Sequence, residues 1–137
     1  MEKLESVLRF NKYIVDEVVF KSNPNFNPTD DKLKIDFSIK KNVEHRSNGE
    51  MIVSLNVNIF EKANEKNYPF EMMVKLRGFF TMSDSTINLD SNAIAILYPY
   101  IRSIVSVYTS SINVPPLILP VINVNALIEQ LENEKSE

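Results

Sequence analysis

An Asn-Gly pair at positions 48 and 49 separates two runs in which apolar and polar residues alternate, and it narrows the possible folds more than any other feature. Before it, from Lys32 to Lys40, Leu33, Ile35, Phe37 and Ile39 oppose Lys32, Lys34, Asp36 and Ser38; after it, Met51, Val53, Leu55, Val57 and Ile59 oppose Ser54, Asn56 and Asn58. Period two puts each apolar set on one face of a strand, and Asn-Gly supplies the positive-φ pair that a tight hairpin requires. The two runs are therefore predicted to pair. Alternation returns with Phe70, Met72, Val74 and Leu76 against Glu71, Lys75 and Arg77, until Gly78 interrupts it. Ile14, Val18 and Phe20 predict an earlier strand within 13–20, with Val15 and Val19 making its second side partly apolar. The turn-rich stretch SNPNFNPTDD, with Phe26 alone in its middle, connects the first strand to the second, and EKANEKNYP connects the third to the fourth. The fold class that follows is α+β, starting with a four-stranded antiparallel sheet that has one wet face.

The period then changes. After SDSTINLDS, where Asp90 or Ser91 can cap a helix, apolar residues recur at Ile94, Leu97, Ile101, Ile104, Val105 and Tyr108, which predicts a long helix from about 92 to 111. Ala93, Ile96, Tyr100 and Val107 widen its apolar arc to roughly 200°, against the ~100° stripe of a helix packed on one layer. One sheet covers one side of such an arc, so the residues at its centre, Ile94, Leu97, Ile101, Ile104, Val105 and Tyr108, are expected to meet another subunit. Pro99 removes one helical hydrogen bond and is expected to kink the helix. A last short helix, NALIEQLENEK, follows, with Asn123 or Asn125 as its cap.

Chemistry is hard to assemble from what remains. Cysteine is absent and His45 is the single histidine, beside Glu44 and Arg46, so no nucleophile-base pair and no zinc set can form, and His45 reads as a solvated surface residue. Gly49 and Gly78 make no phosphate-cradling loop, and Asp30, Asp31 and Asp84 sit among turn formers. The chain is expected to be no enzyme, to need no cofactor and to bind no metal. A net charge of −3 with both signs interspersed leaves no basic footprint for nucleic acid. No apolar run approaches the ~20 residues of a membrane span, and the N-terminus lacks the apolar core of a secretory signal. A cytoplasmic protein of one domain, 1–137, is the expectation.

Residues 114–127, VPPLILPVINVNAL, fit an ordinary small domain least well: Val114 to Ile122 is a run of nine apolar residues with three prolines, charge-free yet unfit for a helix or a central strand. Such a run either seals a core or offers apolar area to a partner. From the residues alone the two readings are near parity.

The stretch ILYPYIRSIVSVYTSSINVPPLILPVINVNALIEQ, together with VKLRGFF at 74–80, resembles the SecB family of export chaperones. The matching pattern is aliphatic-aromatic-Pro-Tyr-x-Arg at a helix start, a small-polar helix end, then Pro-Pro-Leu-x-Leu-Pro-x-x-Asn and a short helix opening with Ala-Leu. The resemblance implies long helices sandwiched between two sheets in a homotetramer, a dimer of dimers, that holds unfolded polypeptides without ATP and keeps preproteins competent for export and translocation. It also implies a client groove with one wall in the helix-connecting loop, Val114, Pro115, Leu117, Ile118, Leu119, Val121 and Ile122, and another around Phe26. Two departures bear on docking of the SecA motor. Glu17 keeps one acid of the expected docking face, but Lys21 stands where a second is expected, and the chain ends at LENEKSE without the family's longer tail. Weak or absent SecA docking is therefore expected, and divergent SecB-like chaperones that protect an antitoxin are the alternative setting. An oligomeric small-molecule-binding regulatory module on the same frame is the alternative of another class; no convergent polar anchors support it.

Overall fold

In the computed structural model, which describes residues 7–29, 32–111 and 117–136, the alternating runs form one sheet. Its strands are β1 (Leu8–Ser22), β2 (Phe37–His45), β3 (Glu50–Ile59) and β4 (Phe70–Met82), in the order β1-β4-β3-β2 with every neighbour antiparallel. The hairpin turns as expected: Asn48 and Gly49 have φ of 65° and 76°, and the Arg46 amide donates to the Glu50 carbonyl at 2.8 Å. A Cβ on Gly49 would collide with the Met82 carbonyl oxygen, so no other residue fits that corner.

Three boundaries differ from the pattern, each for a local reason. β2 starts at Phe37, not Lys32, because its partner β3 ends opposite Phe37 at Ile59 and Phe60 then turns away with φ 55°, leaving 32–36 no ladder to join. β4 runs on through Gly78 to Met82. There the missing Cβ makes room for a helix side chain: a Cβ would stand 2.5 and 2.7 Å from the Leu97 methyls. β1 carries two bulges, between Phe10 and Lys12 and between Val15 and Glu17, and each extra residue reverses the phase of the pleat. Tyr13 and Val15 therefore share the inner face with Val18 and Phe20. Ile14, expected there, lies opposite Arg77 on the outer face.

On the inner face lie α2 (Asp90–Ser111), across β3 and β4, and α3 (Val124–Ser136), beside β2. A one-turn helix, α1 (Ala63–Lys66), flanked by left-handed Lys62 and Asn67, forms within EKANEK, which reads in sequence only as a turn. Asn123 caps α3, its Oδ1 accepting from the Ala126 amide at 3.1 Å, while the Asn125 side chain donates to the Ser91 carbonyl. Helix α2 continues through Pro99, which sits on its exposed side.

The wide arc of α2 is divided differently from the sequence-based expectation. Ile94, Leu97, Ile101 and Val105 are fully buried against the chain's own sheet and are not available to another subunit. Residues 117–120 of the same chain bind α2 through Tyr98, Arg102 and Thr109, along one edge of the arc. Ile104 and Tyr108 remain half-buried, Tyr100 with them, and Val107 is 65% exposed.

Candidate functional site

Residues 117–123 run back along α2 as an extended strap, held by side chains of the helix. The Leu117 amide donates to Thr109 Oγ1 (2.9 Å), Arg102 Nε donates to the Leu119 carbonyl (3.0 Å), and Tyr98 Oη donates to the Pro120 carbonyl (2.9 Å). Thr109, itself fully buried, donates in turn to the Val105 carbonyl at 2.8 Å. Burial pushes the Tyr98 phenol above its ordinary pKa, so it stays a neutral donor over an extended range of pH. A proline-rich segment lacks the amides to join a ladder, and helix side chains serve its carbonyls instead.

The strap is two-sided. Leu119 is completely buried in the core, whereas Ile118 is 64% and Val121 83% exposed; Leu117 and Ile122 lie between these extremes. The expectation of Leu119 as a client-facing residue is thus corrected: its side chain is wholly buried in the core of its own chain. Val114 and Pro115 lie outside the described residues. A hollow of about 160 Å³ lined by Ala95, Pro99, Arg102, Val121 and Ile122 separates the far end of the strap from α2.

Phe26, the candidate for the opposite wall, is half-buried in the crossover segment between β1 and β2. Ser22 pairs with Phe70 at one end of the sheet, and there Phe20 packs on Phe70 (4.9 Å between ring centres) and on Tyr108 (6.1 Å) near the end of α2. The crossover departs from this end, and the strap starts near it, at Leu117 on Thr109, and runs away from it toward Tyr98. Phe60 and Tyr68 continue the aromatic row beneath the crossover, at 4.8 Å from each other, and the Tyr68 hydroxyl donates to Asp36. That hydrogen bond to a carboxylate, aided by burial, raises the Tyr68 pKa.

A second aromatic group missed by the sequence analysis lies toward the other end of β1: Tyr13 meets Tyr100 at 4.6 Å and Phe10 meets Tyr100 at 5.5 Å. Tyr13 and Val15, each 39% exposed, lie on the inner face beyond the cover of α2. The bulges hid them, because simple alternation assigns Ile14 to that face.

The outer face of the sheet is balanced in charge. Glu17 pairs with Lys75 at 3.5 Å, Asp16 takes two bonds from Arg77 at 2.7 and 2.9 Å, and Lys21 stands opposite Glu71. The bond from Asp16 holds the Arg77 pKa above its usual value, and Arg77 with Lys12 brackets the Phe79 ring. A hollow of about 410 Å³ opens on this face between Val19, Met73, Lys21, Asn58 and Glu71. Its rim carries both signs of charge, and it lies apart from the strap, so size alone does not make it the site. His45 is the surface residue expected, half-exposed, and it bonds Asp90 at 2.9 Å, which ties the hairpin to the start of α2. Asp84 forms the expected turn, its carboxylate accepting from Thr86, which lowers its pKa.

Comparison with known proteins agrees with this architecture. A family model described as preprotein translocase subunit SecB matches residues 4–135, and the chain belongs to that family. A protein of Methanocaldococcus jannaschii, described as uncharacterized protein MJ0357, is 30% identical over 137 residues, covering 95% of this chain and 88% of the relative. The fold is similar to that of the Mycobacterium tuberculosis SecB-like chaperone Rv1957, solved in complex with a ChAD peptide from the HigA1 antitoxin: TM-score 0.66, 16% identity, 84% of this chain and 90% of that one. A Streptococcus agalactiae protein of unknown function matches with TM-score 0.50 and 10% identity, over 83% and 97% of the two chains.

Proposed function

We propose that this SecB-family chain is an ATP-independent holdase that captures unfolded or non-native polypeptides where the crossover segment and the strap meet. One observation carries the reading: the strap is anchored by buried Leu119 and by three bonds from α2, yet it turns Ile118 and Val121 out to solvent. A non-native client offers extended backbone and scattered apolar side chains, and a sequence-tolerant receptor needs apolar area on a fixed frame. The proposal assigns Phe26, Leu117 and Ile122, each half-buried, to the same surface, together with Val114 and Pro115, which lie outside the described residues. Full burial by a partner is worth roughly 1.5–3 kcal/mol for each aliphatic side chain. The test is dilution of a chemically denatured, aggregation-prone protein into buffer without nucleotide. Suppression of light scattering by stoichiometric wild-type chain is expected; undiminished aggregation would defeat the reading.

Protection of an antitoxin is the second setting, favoured by the similarity in fold to a chaperone solved with an antitoxin peptide. Export of preproteins rests on the family alone, and the neutral outer face, with Glu17 already paired, argues for weak docking of SecA. Among the described residues no helix is long and apolar enough to cross a membrane, in keeping with work in the cytoplasm.

Assembly into a dimer, and from dimers into a tetramer, is part of the same proposal. The apolar surface left uncovered, Tyr13, Val15, Tyr100, Ile104, Val107 and Tyr108, runs beside an edge strand with no partner among the described residues on its far side. Tyr13→Asp is expected to dissociate the assembly while leaving the fold intact, whereas Ile101→Asp, which buries a charge in the core, unfolds it. Light scattering together with circular dichroism separates the two outcomes.

A further inference from the structure

The crossover segment reaches the proposed client site with little apolar anchorage: Pro24, Asn25, Asn27 and Pro28 are all exposed. Asparagines at every second position hold it. Asn23 Nδ2 donates to the carbonyls of Ala63 (3.1 Å) and Tyr68 (2.8 Å), and Asn25 Nδ2 donates to Asn64 Oδ1 (3.0 Å). The third rung is reciprocal: the Asn27 amide donates to Asn67 Oδ1 and Asn67 Nδ2 donates to the Asn27 carbonyl, both at 2.8 Å. A side-chain amide here imitates a strand neighbour, satisfying donor and acceptor of one residue together. Asn67 itself is left-handed, with φ 57° and ψ 54°, a conformation that Asn and Gly tolerate best. The same connection takes the other end of the crossover, through Tyr68 and Lys66 on Asp36.

We propose that Asn67 is a positioning residue for client capture: by clamping residue 27 it fixes Phe26, which lies between that rung and the turn at 23–25, before any client arrives. The inference rests on the holdase reading. A wall ordered in advance does not have to be ordered by the client, so its loss appears as weaker capture.

The chain contains no tryptophan, so Phe26→Trp creates a single tryptophan, which red-edge excitation selects over the tyrosines and whose anisotropy reports the mobility of position 26. The probe is measured with Asn67 intact, with Asn67→Gly, and with Asn67→Asp. Glycine accepts the left-handed backbone but removes both bonds; aspartate keeps the acceptor and sets a carboxylate against the Asn27 carbonyl. Capture of a labelled, reduced and carboxymethylated polypeptide is measured in parallel on chains that retain Phe26. Both variants are expected to lower the anisotropy and to weaken capture roughly three- to tenfold, the scale of one or two lost hydrogen bonds, with melting little changed. Unchanged anisotropy overturns the inference, because the rung then does not hold the segment. Lower anisotropy with undiminished capture overturns it as well, and leaves the holdase reading standing. If the wild-type chain captures nothing, the holdase reading fails and the inference with it.

Discussion

The strap and the crossover segment are fixed by opposite means. The strap hangs on a buried leucine and on the buried Thr109, so its position is tied to the core. The crossover hangs on exposed asparagine pairs, which water competes for, so its position is nearly independent of the core. Burial resists change strongly because a truncated side chain leaves a cavity, whereas an exposed hydrogen bond contributes little net free energy. One segment is thus held by burial and the other by surface hydrogen bonds, and the contrast predicts a steep order of mutational effects.

The largest effect belongs to Leu119. Leu119→Ala should destabilise the chain by about 2–5 kcal/mol, the usual range for a buried leucine truncated to alanine, and lower its melting temperature accordingly. Asn25→Ala on the other wall should leave melting almost unchanged. Equal losses at the two sites would erase the contrast. Next comes Thr109→Val. Valine fills nearly the same space but offers no acceptor, leaving the Leu117 amide unpaired, and about 1–3 kcal/mol is the cost of stranding such a group. Chemical denaturation of this single variant measures it; a loss no greater than that of Ser110→Ala would mean that water replaces the hydroxyl and that the strap is less dry than its burial indicates.

Tyr98 gives a test by pH. Its folded pKa is raised above the ordinary value of 10.0, chiefly by burial, so its contribution to stability is complete below pH 10. Above that, the unfolded chain ionises first, and stability falls as pH rises toward the folded pKa, where the hydroxyl can no longer donate to Pro120. Tyr98→Phe should flatten this alkaline loss relative to wild type, measured as urea midpoints between pH 9 and 11. Identical slopes would show that other groups dominate there.

The sheet and helix α2 were legible because period two and period 3.6 act along the chain, and because Asn48-Gly49 fixes one register by itself. What stayed hidden depends on contacts between distant residues. Two bulges in β1 exchanged Ile14 for Val15 and Tyr13 on the inner face, and no alternation count detects an inserted residue. The breadth of α2's arc was visible, but the sequence does not say which part of it the chain's own sheet takes, so Ile94, Leu97, Ile101 and Val105 looked available to a second subunit when they are core. Asn23, Asn25 and Asn27 read as turn formers; their spacing of two was a trace of the ladder, but its partners lie about forty residues on.

The smallest effect on stability should come where the proposed effect on function is greatest. Ile118 and Val121 are exposed where Leu119 is buried, so replacing both by serine removes apolar surface that the folded chain already leaves in water. Surface changes of this kind shift stability by less than about 0.5 kcal/mol, and the melting temperature should stay within error of wild type. Capture is another matter, since each of these side chains stands to lose the transfer free energy that a bound client would have supplied. The variant should therefore fold, assemble and melt like wild type while failing to suppress aggregation. Read beside Leu119→Ala, it divides the strap into an anchor and a contact surface. If suppression survives the double serine change while Phe26→Ser abolishes it, the crossover alone holds the client, and the strap serves to close the core.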